Sequence, residues 1–309
     1  MKKETLGFLG VLTGNVIFGF SFLFSKIALE VTIPSVLIAV RFTVAFLLLN
    51  VVVLFGKYIK NSEGEAIISF SLKGKPKKDI LLLALFQPII YFISENYGIL
   101  YTSSSFAGII IATIPIVGIV LDIIFFQAKI GIRQGVCAVL SVFGVFLTTI
   151  GAQDMHSSIK GMLFLLVAVF SGSIFYVFSR QSSEYYSALE RTYVMFGLGS
   201  VFYIFFAGIQ CMGQYESLVV TALKTPLFWC SITYLSCVSS VIAFLCLNFG
   251  SAYISVARGT MLANITTVIS IFAGFLVLHE SFTLSQAIGA VIIVGSVYVA
   301  TMAGVKEEV

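Results

Sequence analysis

Charged residues in this chain are confined almost wholly to the gaps between long apolar runs, an arrangement that rules out a soluble fold. Of the 309 residues only 10% are charged, where a soluble domain carries about 25%. Ten runs are long enough to cross a hydrocarbon core roughly 30 Å thick as helices of about 20 residues. They are 6–29, 34–55, 79–101, 103–126, 134–151, 161–179, 188–209, 226–248, 252–278 and 286–303. Their hydrophobicity is unbroken rather than alternating, which predicts helices and not a barrel. Most connections are short and leave no room for a soluble domain. The first run follows Lys2-Lys3 as a signal peptide would, but it is too long and lacks a small-x-small exit, so it reads as a retained helix.

Lys and Arg set the orientation. With the N-terminus in the cytoplasm, the inner segments collect Lys2, Lys3, Lys57, Lys60, Lys73, Lys75, Lys77, Lys78, Lys129, Arg133, Arg180 and Lys306. The outer segments keep little beyond Lys160 and Lys224, with Lys26 near an outer boundary. Both termini are therefore expected in the cytoplasm, and the chain in a cell membrane of the bacterial cytoplasmic kind. The net charge of +4 then needs no nucleic-acid partner. The basic stretch 57–78 suits anionic lipid headgroups. Cys137, Cys211, Cys230, Cys237 and Cys246 lie in or beside the runs without metal-ligand spacing and read as small apolar fillers. No metal and no cofactor is expected.

The chain repeats itself. Asn96-Tyr97-Gly98-x-x-Tyr101-x-Ser103 recurs as Asn248-Phe249-Gly250-x-x-Tyr253-x-Ser255, 152 residues later. Phe24-Ser25-Lys26 corresponds to Phe178-Ser179-Arg180, and Gly144 to Gly295 near the ends of the halves. Residues 1–152 and 153–309 thus read as two copies of one five-helix unit. An odd number of spans inserts the second copy upside down, the inverted plan of secondary transporters.

The chain resembles the ten-span EamA-type branch of the drug/metabolite transporter superfamily. The resemblance rests on Arg41, on the segment Asn96 to Pro115 (NYGILYTSSSFAGIIIATIP), and on His279-Glu280 followed by Gln286-x-x-Gly289 and Gly295. It covers essentially the whole chain and implies export or exchange of amino acids and similar metabolites, with nucleotide-like cargo a further option. The chain departs from the family pattern at Ala128, where the first half lacks the acidic residue matching Glu280, and at Thr267, where the second half lacks the proline.

Four ionisable residues lie well inside the expected spans: Arg41, Glu95, Asp122 and Arg258. Each costs about 2.5–3.5 kcal/mol on insertion scales, so each needs a partner or a role. At 1.5 Å per residue, Arg41 and Glu95 both fall roughly 10 Å below the outer boundary. Asp122 and Arg258 fall near the inner ends of the fourth and ninth spans. Two cross-helix pairs are expected, Arg41–Glu95 and Asp122–Arg258, which would also serve as structural clamps.

Gln87, Tyr91 and Glu95 follow at four-residue intervals and stack on one helix face, with Ser94 and Gly98 beside them. Pro88 removes a backbone hydrogen bond and predicts a kink there. The equivalent place in the eighth span holds Ser239-Ser240. A kinked helix with a polar stripe at mid-depth points to a binding site. Thr260, Asn264 and Thr267 form a second stripe; Asn15, Phe22 and Lys26 mark the first span, Ser173 and Tyr176 the sixth. Such polar residues also bond across helices in ordinary packing, for about 0.6 kcal/mol each. The candidate translocation pathway is Asn15, Arg41, Gln87, Tyr91, Glu95, Tyr176, Ser239, Arg258 and Asn264.

His279-Glu280 and Asp154-x-His156-Ser157 lie at expected membrane edges without a third partner and read as solvated loops, and Gly197-x-Gly199 reads as helix packing. An enzyme would need a nucleophile–base pair or metal ligands at matched depth, which this pattern does not supply. The expected function is a secondary transporter, an exporter or exchanger of a small polar metabolite, working by alternating access as a monomer or homodimer in the bilayer. Arg41 or Arg258 would hold a carboxylate or phosphate of the cargo, and Glu95 is placed to carry a coupling proton. The alternative is a non-transporting receptor or scaffold with a degenerate transporter fold.

Overall fold

A computed structural model describes residues 3–58, 70–101, 110–149, 158–278 and 283–307. Every regular element among the described residues is helical. In order they are α1 (Lys3–Leu29), α2 (Pro34–Tyr58), α3 (Lys78–Ala84) and α4 (Tyr91–Tyr101), α5 (Ile114–Phe126), α6 (Ile132–Thr149), α7 (Ile159–Ser182) and α8 (Ala188–Gln210). There follow a π-turn at Glu216–Val220 with the short helix Thr221–Lys224, then α9 (Pro226–Thr233) and α10 (Ala243–Gly250), α11 (Val256–Ala263) and α12 (Ile265–Leu278), and α13 (Leu284–Glu307). Wider π-turns join α3 to α4 (Leu85–Ile90) and α9 to α10 (Tyr234–Ile242).

Six stretches of the described residues are long and apolar enough to cross a membrane: Lys3–Leu29, Pro34–Gly56, Lys78–Gly98, Ile159–Ser182, Ala188–Gln210 and Pro226–Gly250. Ile114–Phe126, Ile132–Thr148 and Leu284–Ala300 are shorter apolar helices. Large side chains such as Phe55, Val201 and Phe205 stand 65%, 68% and 71% exposed on the outside of the bundle. In lipid that exposure costs nothing, because the solvent is as apolar as the core. Ser103, Asp154, His156, Ser157, His279 and Glu280 lie outside the described residues, as do the side chains of Phe22 and Lys26.

The chain breaks its helices at the same repeat position in each half. At Gln87 the backbone is extended (φ −142, ψ 121), just before Pro88, so the predicted kink is present. Carbonyls beside the break accept side chains of other helices, in addition to the Tyr91 amide that reaches Phe86 O and Pro88 O: Ser171 Oγ donates to Phe86 O at 2.6 Å, and Tyr203 Oη to Pro88 O and Ile89 O at 3.2 and 3.0 Å. Without such donors an open carbonyl at this depth costs several kcal/mol. At the equivalent Ser239-Ser240 the helix widens into a π-turn instead, a feature frequent at functional sites.

Close packing uses the repeat's glycines. A Cβ built on Gly98 would come within 2.5 Å of Leu165 Cδ2 on α7, and one on Gly250 within 2.5 Å of Val11 Cγ2 on α1. Gly144 and Gly289 bring α6 against α13, each facing the other's carbonyl oxygen. Gly295, the sequence counterpart of Gly144, meets nothing within 4 Å, so that correspondence does not extend to packing. Gly199 packs on the Pro88 ring, as a packing role predicts. The aromatic centre lies between α2, α8 and α10, where Phe196 stands 5.2 Å from Phe42 and 5.3 Å from Phe244, ring to ring. This core abuts Arg41.

Candidate functional site

Arg41 projects from α2 onto the π-turn. Its Nε donates to Ser240 Oγ and its Nη2 to Ser239 Oγ, both at 2.8 Å. Ser239 also receives Ser21 Oγ at 2.5 Å, and Ser236 Oγ donates to the Arg41 carbonyl at 3.0 Å. The rings of Phe42 and Phe92 each lie 5.6 Å from the guanidinium. Two of the guanidinium's three nitrogens are thus committed. Nη1 makes no hydrogen bond among the described residues.

Glu95 lies on α4 within Coulombic range of Arg41, but no ion pair within 4 Å joins them among the described residues. The expected Arg41–Glu95 salt bridge is therefore replaced by a separated pair. The reason is the π-turn, whose two hydroxyls hold the guanidinium on the α9–α10 side. Glu95 takes one bond, from Tyr91 Oη to Oε1 at 3.0 Å. The helical spacing of Gln87, Tyr91 and Glu95 holds only for the last two, since the break intervenes after Gln87. The Gln87 amide is buried and makes no hydrogen bond among the described residues.

Tyr176 approaches Asn15 and stands within Coulombic range of Tyr91. Asn15 itself is tied to Val11 O at 2.8 Å and to Thr266 Oγ1 at 3.3 Å. Asn264 sits where α11 gives way to α12 and donates to Ala112 O at 3.3 Å and to Ser141 Oγ at 3.0 Å. It bridges three elements and acts as packing glue.

Asp122 and Arg258 do not form the expected pair. Asp122 Oδ2 accepts the Ala257 amide at 2.9 Å, at the N-terminal turn of α11, and Oδ1 lies 3.4 Å from Arg180 Nη1. The carboxylate thereby meets both a cation and the positive end of a helix. Successive side chains on a helix diverge by about 100°. With the start of α11 held against Asp122, Arg258 turns toward α1 and pairs with Glu4.

These contacts belong to one end of the bundle, the end carrying the N-terminus. A third ion pair, Lys75–Glu190 at 2.6 Å, lies there too, with Ser71 N donating to Glu190 at 2.8 Å. All three pairs join a residue before position 152 to one after it. At the opposite end the links among the described residues include no ion pair: Gln210 Nε2 to Tyr97 Oη at 2.6 Å, Lys160 Nζ to Tyr101 Oη at 3.2 Å, and Thr32 Oγ1 to Leu218 O at 2.6 Å.

The EamA-like transporter family model matches this chain twice, over residues 5–150 and 159–302. The chain belongs to the EamA-like transporter family. It is 31% identical over 298 residues to YcxC, an uncharacterized transporter of Bacillus subtilis (strain 168), covering 94% of this chain and 91% of that one. An uncharacterized transporter of Archaeoglobus fulgidus is 24% identical over 283 residues, covering 91% and 93%. A solved crystal structure matches at a TM-score of 0.77 and 16% identity, covering 98% of this chain and 99% of that one, a likeness of fold. This EamA-like chain is therefore an integral, multi-pass protein of the cell membrane and a membrane transporter rather than an enzyme.

One buried cation of this EamA-like transporter escapes the sequence reading. Arg191 is 2% exposed at the start of α8. It donates to the carbonyls of Ser179 and Asn248, to Ser179 Oγ at 3.0 Å and to Ser251 Oγ at 3.4 Å. No carboxylate lies within 4 Å of it among the described residues. Its charge rests on the C-terminal ends of α7 and α10, whose dipoles favour a cation. Asn248 of the repeated motif completes the knot, accepting from Ser179 Oγ at 2.7 Å and donating to Thr192 Oγ1 at 3.0 Å. Among the described residues Asn96, its counterpart, bonds only its own helix, at Phe92 O. A signal for the neighbouring Glu190 was present in Ser187-Ala188-Leu189-Glu190, a capping box that both side chains close.

Proposed function

We propose that this transporter carries a small zwitterionic metabolite, an amino acid or a close relative, by alternating access between inverted halves, residues 1–152 and 153–309. One observation carries the reading: Arg41 and Glu95 are near neighbours held apart, each with bonding capacity left over. A solute carboxylate docks on Arg41 Nη1, and its ammonium docks on Glu95. Charge-assisted bonds of this kind are about twice as strong as neutral ones and fix the orientation of the cargo. The broken segment at Gln87 and the π-turn at Ser239-Ser240 flank the site, as discontinuous helices do where transporters hold substrates. One chain supplies every group, so a single copy suffices.

The inversion is supported by the motif glycines: Gly98 meets the first helix of the second half, and Gly250 the first helix of the first half. With both termini cytoplasmic, the end closed by the pairs Lys75–Glu190, Arg180–Asp122 and Arg258–Glu4 is the inner one. The links described at the other end, none of them an ion pair, part more readily, so this conformation is closed inward. Rocking one half against the other breaks the three pairs and opens the inner end. Glu95, when not neutralised by cargo, carries a proton through the cycle.

The test is a thermal-shift screen of purified protein against amino acids, nucleotides, nucleobases and organic acids, followed by uptake of each hit into proteoliposomes. The expected hits are zwitterionic amino acids. Stabilisation by organic acids or nucleotides alone would contradict the proposal.

A further inference from the structure

A second candidate ligand site lies on the outside of the bundle. Between α3 with its π-turn and α8 runs a groove of about 490 Å³, lined by Leu81, Leu85, Ile89, Leu198, Val201 and Phe202. Both walls belong to stretches apolar and long enough to cross the membrane, so the groove opens onto acyl chains. At its head stand two exposed cations, Lys77 and Lys78. Neither has an ion pair or hydrogen bond among the described residues, whereas nearby Lys75 is spent on Glu190. Asp79 forms no ion pair within 4 Å with either lysine among the described residues. Lys77, Leu81 and Leu85 recur at four-residue spacing, which lays the amine and the groove on one stripe.

We propose that this groove holds one anionic phospholipid, with its phosphate on Lys77 and Lys78 and an acyl chain along Leu81, Leu85, Ile89 and Val201. A lone juxtamembrane cation attracts an anionic leaflet without shape selectivity; two cations above an apolar slot add shape to charge. From Leu81 to Leu85 the slot descends about 6 Å at 1.5 Å per residue and continues past the break to Ile89, a depth that takes the first part of an acyl chain. Its floor is the broken helix itself: a Cβ on Gly199 would come 2.7 Å from the Pro88 ring, and Tyr203 Oη holds Pro88 O and Ile89 O. The lipid therefore bears on the segment that presents Gln87 to the central site.

The test reads binding alone and does not depend on the identity of the cargo. Delipidated protein is titrated with phosphatidylglycerol or with phosphatidylcholine of the same chains, and retained lipid is counted by native mass spectrometry. Wild type should retain one phosphatidylglycerol over phosphatidylcholine. The surface variant Lys77→Ala/Lys78→Ala should lose that retention at least fivefold, and Lys129→Ala/Arg133→Ala, which removes the same charge elsewhere, should keep it. Val201→Trp, which fills the slot, should weaken it with both lysines present. Equal retention of the two lipids, equal loss in both double variants, or no effect of Val201→Trp would overturn the proposal.

Discussion

Arg41 Nη2 donates to Ser239 Oγ across 198 residues of sequence, at 2.8 Å, while its Nε holds Ser240. The guanidinium is thereby aimed by the π-turn, and its third nitrogen is the one proposed to hold cargo. Lysine keeps the charge but not the fork. Arg41→Lys should leave the melting temperature within a few degrees of wild type and weaken solute binding at least tenfold, by titration of the thermal shift. Ser239→Ala should weaken it less, because Ser240 still holds Nε.

Arg191 should matter for folding and not for cargo. Arg191→Leu leaves the Ser179 and Asn248 carbonyls without their donor, and each buried acceptor left unsatisfied costs about 1–3 kcal/mol. The expected result is a large fall in melting temperature and yield. Ligand affinity of whatever folds should be unchanged by the same titration.

The two motif glycines should respond unequally to alanine. At Gly98 the new methyl meets the end of the Leu165 side chain, which can turn aside; at Gly250 it also meets the Gly7 backbone carbonyl, which cannot. Overpacking costs about 1–3 kcal/mol, and Gly250→Ala should sit at the upper end of that range. Melting temperatures of the two variants, measured side by side, check the order.

The apolar helical class, the doubled family unit and the break at Pro88 were legible because each follows from the local run of residues: its hydrophobicity, its recurrence or its missing amide. Partner choice was not. Depth placed Asp122 beside the start of the ninth span, yet the backbone amide of Ala257 was the better partner, and Arg258 faced Glu4 from the other side. Arg191 stayed hidden because its counter-charge is two helix ends and no carboxylate. The unbonded Arg41–Glu95 pair was equally out of reach, since the π-turn that separates them leaves no clear mark in Tyr234–Ile242 beyond two adjacent serines.

Asp122 should govern the start of α11. Asp122→Ala removes both the acceptor for Ala257 N and the partner of Arg180. Hydrogen bonds to charged groups contribute about 1.5–3 kcal/mol, so amide exchange over residues 255–258 should accelerate about tenfold or more. Exchange in α6, which takes no part in that contact, is the internal control.

The zwitterion site is tested most directly by counterflow of labelled amino acid in proteoliposomes, comparing wild type with Arg41→Gln and Glu95→Gln at matched incorporation. Wild type should exchange at least one zwitterionic amino acid, Arg41→Gln should not, and Glu95→Gln should exchange more weakly, having lost the charge that holds the ammonium, and should lose flux driven by a pH gradient altogether. Undiminished exchange in Arg41→Gln, or pH-driven flux surviving in Glu95→Gln, would contradict the account.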